Sequence, residues 1–380
     1  MESGASPSPA ARASHAPPEA SESRWQWLKL TLEKGGPGQC IFVINNGCNA
    51  NCGFCSFALD VLPRAGWQFV PIEDACRAID VLAGLFVRYL IISGGEPTLH
   101  QELDTLVRYA KRRHMAVLLV TNGSRLTRKR CGELSAAGVS SVMISIDAAT
   151  AQTHEVNRRL PGVCDRIREA NQELLTLGIQ STASVTVSRL VDDYDALAEF
   201  LRQLGFPAVT FSYPLTSLPS SFLGHRQSSL VDFTPAELDA HFEAIKRLKR
   251  SYPVVNPTAA LEEMQRLVRG DSQHFECLGG YRYFYLDWEL MVWRCHSWEH
   301  PMCSIFDLDE SRYVRDGCTK CMVDCYRDAS VMQHVAVSAS DALRDARAGD
   351  LLGALSHLAK RSNVGSIGAA IETRRWIKAL

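Results

Sequence analysis

Three cysteines, Cys48, Cys52 and Cys55, stand at CxxxCxxC spacing just after a short apolar run, Ile41-Phe42-Val43-Ile44. The run has the length and composition of a buried strand, which makes the cysteines part of the loop leaving its C-terminal end. Three thiolates on so short a loop suit three irons of a [4Fe–4S] cube, one thiolate to each iron. The fourth iron is then left open to a small molecule. The competing reading is a structural zinc site, which wants four ligands. Cys40 is the nearest spare thiol. With the intervening strand extended at about 3.3 Å per residue, it lies roughly 16 Å away.

The cysteine count supports metal. The 380-residue chain has thirteen cysteines, 46% apolar and 22% charged residues, and a net charge of −1. No apolar stretch resembles a signal peptide or approaches membrane-spanning length. A cytoplasmic protein is expected, where thiols stay reduced, so clusters are favoured over disulfides. The near-zero charge offers no case for nucleic acid or an anionic membrane.

Residues 1–22 are rich in Ser, Ala, Pro and Glu and read as a disordered tail. They are too short and polar to form a peptide-recognition domain ahead of the core. After the cysteine loop, apolar runs alternate with amphipathic helical patterns. The runs end at Ser93, Val120, Asp147, Val187 and Tyr213. Counting Ile41–Ile44, six βα units imply a parallel sheet wrapped by helices, with chemistry at the strands' C-terminal ends. Pro214 to Val231 reads as a loop or lid. Helices are expected at Thr234 to Arg250, Ala259 to Arg269, Ser340 to Lys360 and Ile367 to Ile377. Cys76, Cys131 and Cys164 fall on helices as small apolar residues, with Cys164 an outside candidate for a hydrogen-atom donor.

Several strand ends carry candidate ligand groups. Gly94-Gly95-Glu96-Pro97 is either a generic turn or a place where backbone approaches a ligand and Glu96 meets an ammonium. Asn122, Ser145 and Asp147 are short polar residues that also occur as ordinary loop starters. His154 and Arg158 follow Asp147 on the active face; contact with substrate is one reading for either, but a surface role is expected for both. In the C-terminal third, Cys277, Cys295, Cys303, Cys318, Cys321 and Cys325 flank a β-hairpin pattern over Tyr281–Trp293 and end in a CxxCxxxC knot. Zinc would suit that knot equally well.

The CxxxCxxC spacing with Phe54 between its last two cysteines, and GGEP roughly forty residues on, resembles the radical S-adenosylmethionine (radical SAM) superfamily. The resemblance implies an α/β fold, a partial (βα)6 TIM-like barrel, over residues 38–255. It implies that SAM chelates the open iron and is cleaved to a 5′-deoxyadenosyl radical. It assigns Gly94, Gly95 and Glu96 to the methionyl amino group, and Asn122, Ser145 and Asp147 to the SAM carboxylate and ribose. Phe54 falls near the adenine, or is a core aromatic.

The hairpin and knot resemble a small cysteine-rich twitch/SPASM-like domain, placed at 256–335, with C-terminal helices over 336–380. That implies one auxiliary [4Fe–4S] cluster on Cys277, Cys295, Cys318 and Cys321, with Cys325 a close competitor. The implied function is hydrogen abstraction from a small-molecule substrate, driven by an electron donor such as flavodoxin or ferredoxin. A peptide or protein maturase is the alternative within the family. A non-catalytic Fe–S scaffold is the alternative outside it, and Glu96 in its GGEP setting argues against a scaffold.

Overall fold

A computed structural model describes residues 24–214, 228–295 and 298–377. The expected tail and most of the expected lid lie outside the described residues. Six strands alternate with helices, as the apolar pattern requires. They are β1 (Gly38–Val43), β2 (Val87–Ser93), β3 (Ala116–Thr121), β4 (Ser141–Ile146), β5 (Gln180–Thr186) and β6 (Val209–Ser212). Each pairs in parallel with the next. Their side chains alternate between two environments. Cys40, Phe42, Leu90, Ile92, Val117, Leu119, Ala183 and Val185 point outward and are fully buried under helices. The alternate positions, such as Ile41, Ile91, Leu118, Ser184 and Thr186, face an inner cavity.

The outer layer starts with α1 (Arg24–Lys34), then α2 (Ile72–Gly84), α3 (Leu103–Arg112), α4 (Arg128–Ala137), α5 (Ala151–Arg158), α6 (Val163–Thr176) and α7 (Tyr194–Gln203). These helices form where an apolar face meets a local start signal. In α3 the face is Leu103, Leu106, Val107 and Ala110, all buried. In α4 the Thr127 hydroxyl caps the Arg130 N–H, and Gly138 ends the helix at φ 99°. Thr234 and Glu237 form a capping box at the start of α8 (Pro235–Leu248), which packs on α9 (Thr258–Val268).

The expected hairpin is present as β7 (Tyr283–Leu286) and β8 (Met291–Trp293), followed by β9 (Cys303–Ser304). Its position is the surprise. β7 pairs in parallel with β1, from Gln39↔Tyr283 to Phe42↔Leu286, so the hairpin extends the core sheet. One nine-stranded sheet results, ordered β6-β5-β4-β3-β2-β1-β7-β8-β9. The chain then enters α10 (Asp324–Arg347), α11 (Leu351–Leu358) and α12 (Ser362–Ile377). The C-terminal helices therefore start inside the cysteine knot rather than at Ser340. Among the described residues, no helix is long and apolar enough to cross a membrane.

Candidate active site

The loop after β1 brings Cys48, Cys52 and Cys55 to the C-terminal ends of the strands. All three line one cavity of about 310 Å³. No other cysteine, and no histidine, aspartate or glutamate, is among its lining residues. The wall continues with Phe54, Gly94, Gly95, Asn122, Ser145 and Arg158, all named from sequence, and with Thr186 and Tyr285, which were not. Burial pushes the free Cys48 thiol up to about 12, with Glu96 adding to the rise. A bound metal would reverse that, since coordinating thiols ionise. Among the described residues no three Cys, His, Asp or Glu side chains close around a point as a single ion demands. Three thiols spaced on a rim, with no fourth donor beside them, suit a multi-iron group taking one thiolate per iron.

Close backbone packing holds this loop. Gly95 donates its N–H to Asn45 O at 2.9 Å, and Glu96 N–H reaches Gly47 O at 2.8 Å. The Asn45 amide returns a bond to Glu96 O at 3.0 Å. A Cβ on Gly95 would lie 2.2 Å from Gly47 O, and one on Gly94 2.5 Å from Asn45 O. The two glycines thus admit the cysteine loop's own backbone.

Glu96 and Asp147 are not among the residues lining the cavity, and both are fully buried. Glu96 accepts from Thr98 N (3.0 Å), Thr98 Oγ1 (2.5 Å), Thr121 Oγ1 (2.7 Å) and Asn122 N (2.7 Å). It braces the end of β3 against the GGEP turn. That fixes Asn122, whose Nδ2 donates to Asn49 Oδ1 of the cysteine loop at 2.9 Å and lies 4.0 Å from Cys48 Sγ. Ser145 does face the cavity, its hydroxyl 3.4 Å from Thr121 O.

Asp147 is held by Arg158 through two bonds, Nε–Oδ2 at 2.8 Å and Nη2–Oδ1 at 2.6 Å, and by Asn157 Nδ2 at 2.8 Å. Burial alone would raise its pKa, but Arg158 and then His154 pull it below the usual carboxylate value. His154 is also fully buried, and burial lowers it to about 4 despite Asp147. Its Nδ1 accepts the Asp147 N–H at 3.1 Å. The surface role expected for His154 and Arg158 is therefore wrong. A buried carboxylate needs a partner, and Arg158 sits eleven residues on from it. The end of α5 also clasps the cysteine loop: Asn51 N–H donates to Arg158 O at 2.9 Å, and Gly53 N–H to Asn157 Oδ1 at 3.2 Å.

Five of the six C-terminal cysteines gather. Cys277, Cys295 and Cys321 are buried in one apolar cluster, with Cys318 and Cys325 packed against it. Cys277 N–H donates to Cys318 O at 2.8 Å. Cys303 stands apart, paired with Val292 at the sheet edge. The same cluster holds Val43, Tyr285 and Phe57, so one apolar wall separates the two cysteine groups. Phe57 meets Trp288 edge-on, with ring centroids 5.7 Å apart. Against the other end of the first cavity, the inner face of the barrel encloses about 410 Å³, closed by the first turns of α10.

Comparison with known proteins agrees with the fold. The model of the radical SAM superfamily matches residues 42–204. The AdoMet-dependent heme synthase of Methanosarcina barkeri is 33% identical over 160 residues, 42% of this chain and 45% of that one. The mycofactocin maturase MftC of Mycolicibacterium smegmatis is 35% identical over 160 residues, 42% of this chain and 40% of that one. The chain thus spans less than half the length of these curated relatives. Streptococcus suis SuiB shares the fold at a TM-score of 0.55 and 14% identity, over 74% of this chain and 66% of that one. So does anSMEcpe with bound AdoMet, at 0.54 and 15%, over 73% and 79%. The superfamily uses a [4Fe–4S] cluster together with SAM. Over residues 42–204 the chain carries a radical SAM domain.

Proposed function

We propose that the protein is a radical SAM enzyme acting on a small molecule, with Cys48, Cys52 and Cys55 holding the SAM-binding cluster. The support is one observation: these three thiols line a cavity at the strand ends that, among the described residues, no other cysteine, histidine, aspartate or glutamate lines. Cluster and SAM together supply a 5′-deoxyadenosyl radical, given an electron from a donor such as flavodoxin or ferredoxin. The protein's part is to place and to shield. The backbone of Gly94 and Gly95, with Asn122 and Ser145, offers polar contacts to SAM, and Phe54 offers an apolar wall. Arg158, pinned by Asp147, sets a fixed positive charge beside the thiolates. Glu96 and Asp147 act as positioning residues. The adjoining 410 Å³ chamber is the size of a small-molecule site.

The auxiliary cluster of a twitch/SPASM-like region is assigned to four of Cys277, Cys295, Cys318, Cys321 and Cys325. Iron analysis tests it. Reconstituted wild type is expected to hold about eight irons per chain, and a Cys318→Ala/Cys321→Ala variant about four. Equal iron in both refutes the second site. For the first site, dithionite-reduced wild type is expected to release 5′-deoxyadenosine from SAM, and Cys52→Ala none above background. Release by Cys52→Ala at the wild-type rate refutes the assignment. The likeness to mycofactocin maturase supports a second reading, peptide modification. It wins if peptides, and not small metabolites, stimulate 5′-deoxyadenosine release.

A further inference from the structure

We propose that the inner chamber recognises its substrate by a protonated amine, held between Asp328 and Asp324 of α10 and the hydroxyl of Tyr213. This inference deepens the function proposed above and rests on it. The two aspartates are one helical turn apart on α10, so their side chains share a face. Both line the chamber, as does Tyr213 at the end of β6. Asp328 Oδ2 accepts from the Asn256 amide at 2.7 Å, while its buried Oδ1 has no hydrogen-bond partner. Tyr213 is only 2% exposed, and its hydroxyl is also unpartnered. Asp324 is better served, by the Ser212 hydroxyl at 3.2 Å and nearby backbone N–H groups.

At the α10 end of the chamber the Asp328 Oδ1 acceptor and the Tyr213 hydroxyl therefore lack partners, at a place where unmade bonds are costly. Among the described residues, no lysine or arginine lines it. The nearest cations are turned elsewhere. Lys249 pairs with Glu372 at 2.6 Å, and Arg327 donates to Phe275 O at 2.7 Å. An ammonium group brings three donors and a positive charge that favours the ionised carboxylates. A divalent ion is a poorer fit, because no three carboxylate, thiol or imidazole groups converge among the described residues. The geometry also aims such a ligand. Asn256 is locked to both backbone groups of Phe211, at 2.7 and 3.0 Å, and so fixes Asp328. Ile41, Ser93, Val120 and Thr186 line both cavities, so a molecule anchored on α10 extends towards the cysteine loop.

The test uses the full-length, anaerobically reconstituted protein and ligand-observed NMR. The probes are n-butylammonium, n-butanol and butyrate, which share a chain and differ in charge. Butylammonium is expected to bind at least about tenfold more tightly than the other two. Asp328→Asn is expected to remove that preference. Tyr213→Phe keeps the ring against Phe242 and deletes the hydroxyl alone; butylammonium binding is expected to weaken about threefold or more. Butanol binding as tightly as butylammonium overturns the proposal, and so does undiminished binding to Asp328→Asn. Should that variant not fold, undiminished binding to Tyr213→Phe overturns it instead. The two readings fail separately. Wild type that binds butylammonium but never releases 5′-deoxyadenosine refutes only the radical function. Wild type that releases it but shows no charge preference refutes only the amine site.

Discussion

Gly95→Ala is expected to strip the iron from the N-terminal cysteine loop while the sheet stays folded. The added methyl group would sit 2.2 Å from the Gly47 carbonyl oxygen and 2.8 Å from that of Asn46. These are backbone atoms, so no rotamer relieves the clash. The loop cannot retreat freely either, because the Trp67 ring lies against the other side of Gly47. Overpacking of this kind costs about 1–3 kcal/mol, well below what unfolding a domain of this size requires. The displacement falls one residue before Cys48, where rim spacing matters most. About four irons per chain should be lost, with 5′-deoxyadenosine release lost alongside. Gly132→Ala in α4 is the control, since its Cβ meets nothing within 4 Å. There the expected change is neutral, or stabilising by up to about 1 kcal/mol. Full iron content in Gly95→Ala would show that the close approach does not govern the loop.

The barrel was legible because each of its strands carries an outward apolar row that only a helix layer can cover. The gathering of Cys48, Cys52 and Cys55 at one cavity was legible because their close spacing keeps all three thiols on one short loop. What escaped was pairing. α5, with sequence AQTHEVNR, shows no apolar stripe, because the groups it buries are His154 and Arg158. Its burial is dictated by Asp147, a contact across a turn that periodicity does not encode. The bonds of Glu96 within its own turn and to the end of β3 were hidden for a related reason, since a carboxylate in such a turn can serve the turn itself. The hairpin was visible from its alternation, but which edge it joins was not. β7 adds to β1 through backbone hydrogen bonds, which any strand of suitable length can make. Tyr285 on the cavity wall was therefore out of reach from sequence, although its strand was not.

Arg158→Met should be the most destabilising single change near the site that spares every cysteine. It removes the guanidinium that holds Asp147 by two bonds of 2.6 and 2.8 Å and leaves the carboxylate with Asn157 and the largely neutral His154. Deleting one member of a buried pair costs about 3–5 kcal/mol, because the survivor keeps its desolvation penalty. Asp147→Asn should be similarly costly, since it strands the Arg158 charge instead. The pair is therefore expected to behave non-additively. In urea unfolding of the apoprotein, Arg158→Met/Asp147→Asn should be no less stable than the worse single variant. A backbone bond survives in all three variants, that from Asn51 N–H to Arg158 O, so the clasp on the cysteine loop is retained. Iron content at low temperature should then stay near wild type while the unfolding midpoint drops. If the two single losses simply add in the double variant, the ion pair does not hold α5 to β4, and the orientation of Arg158 in the cavity needs another cause.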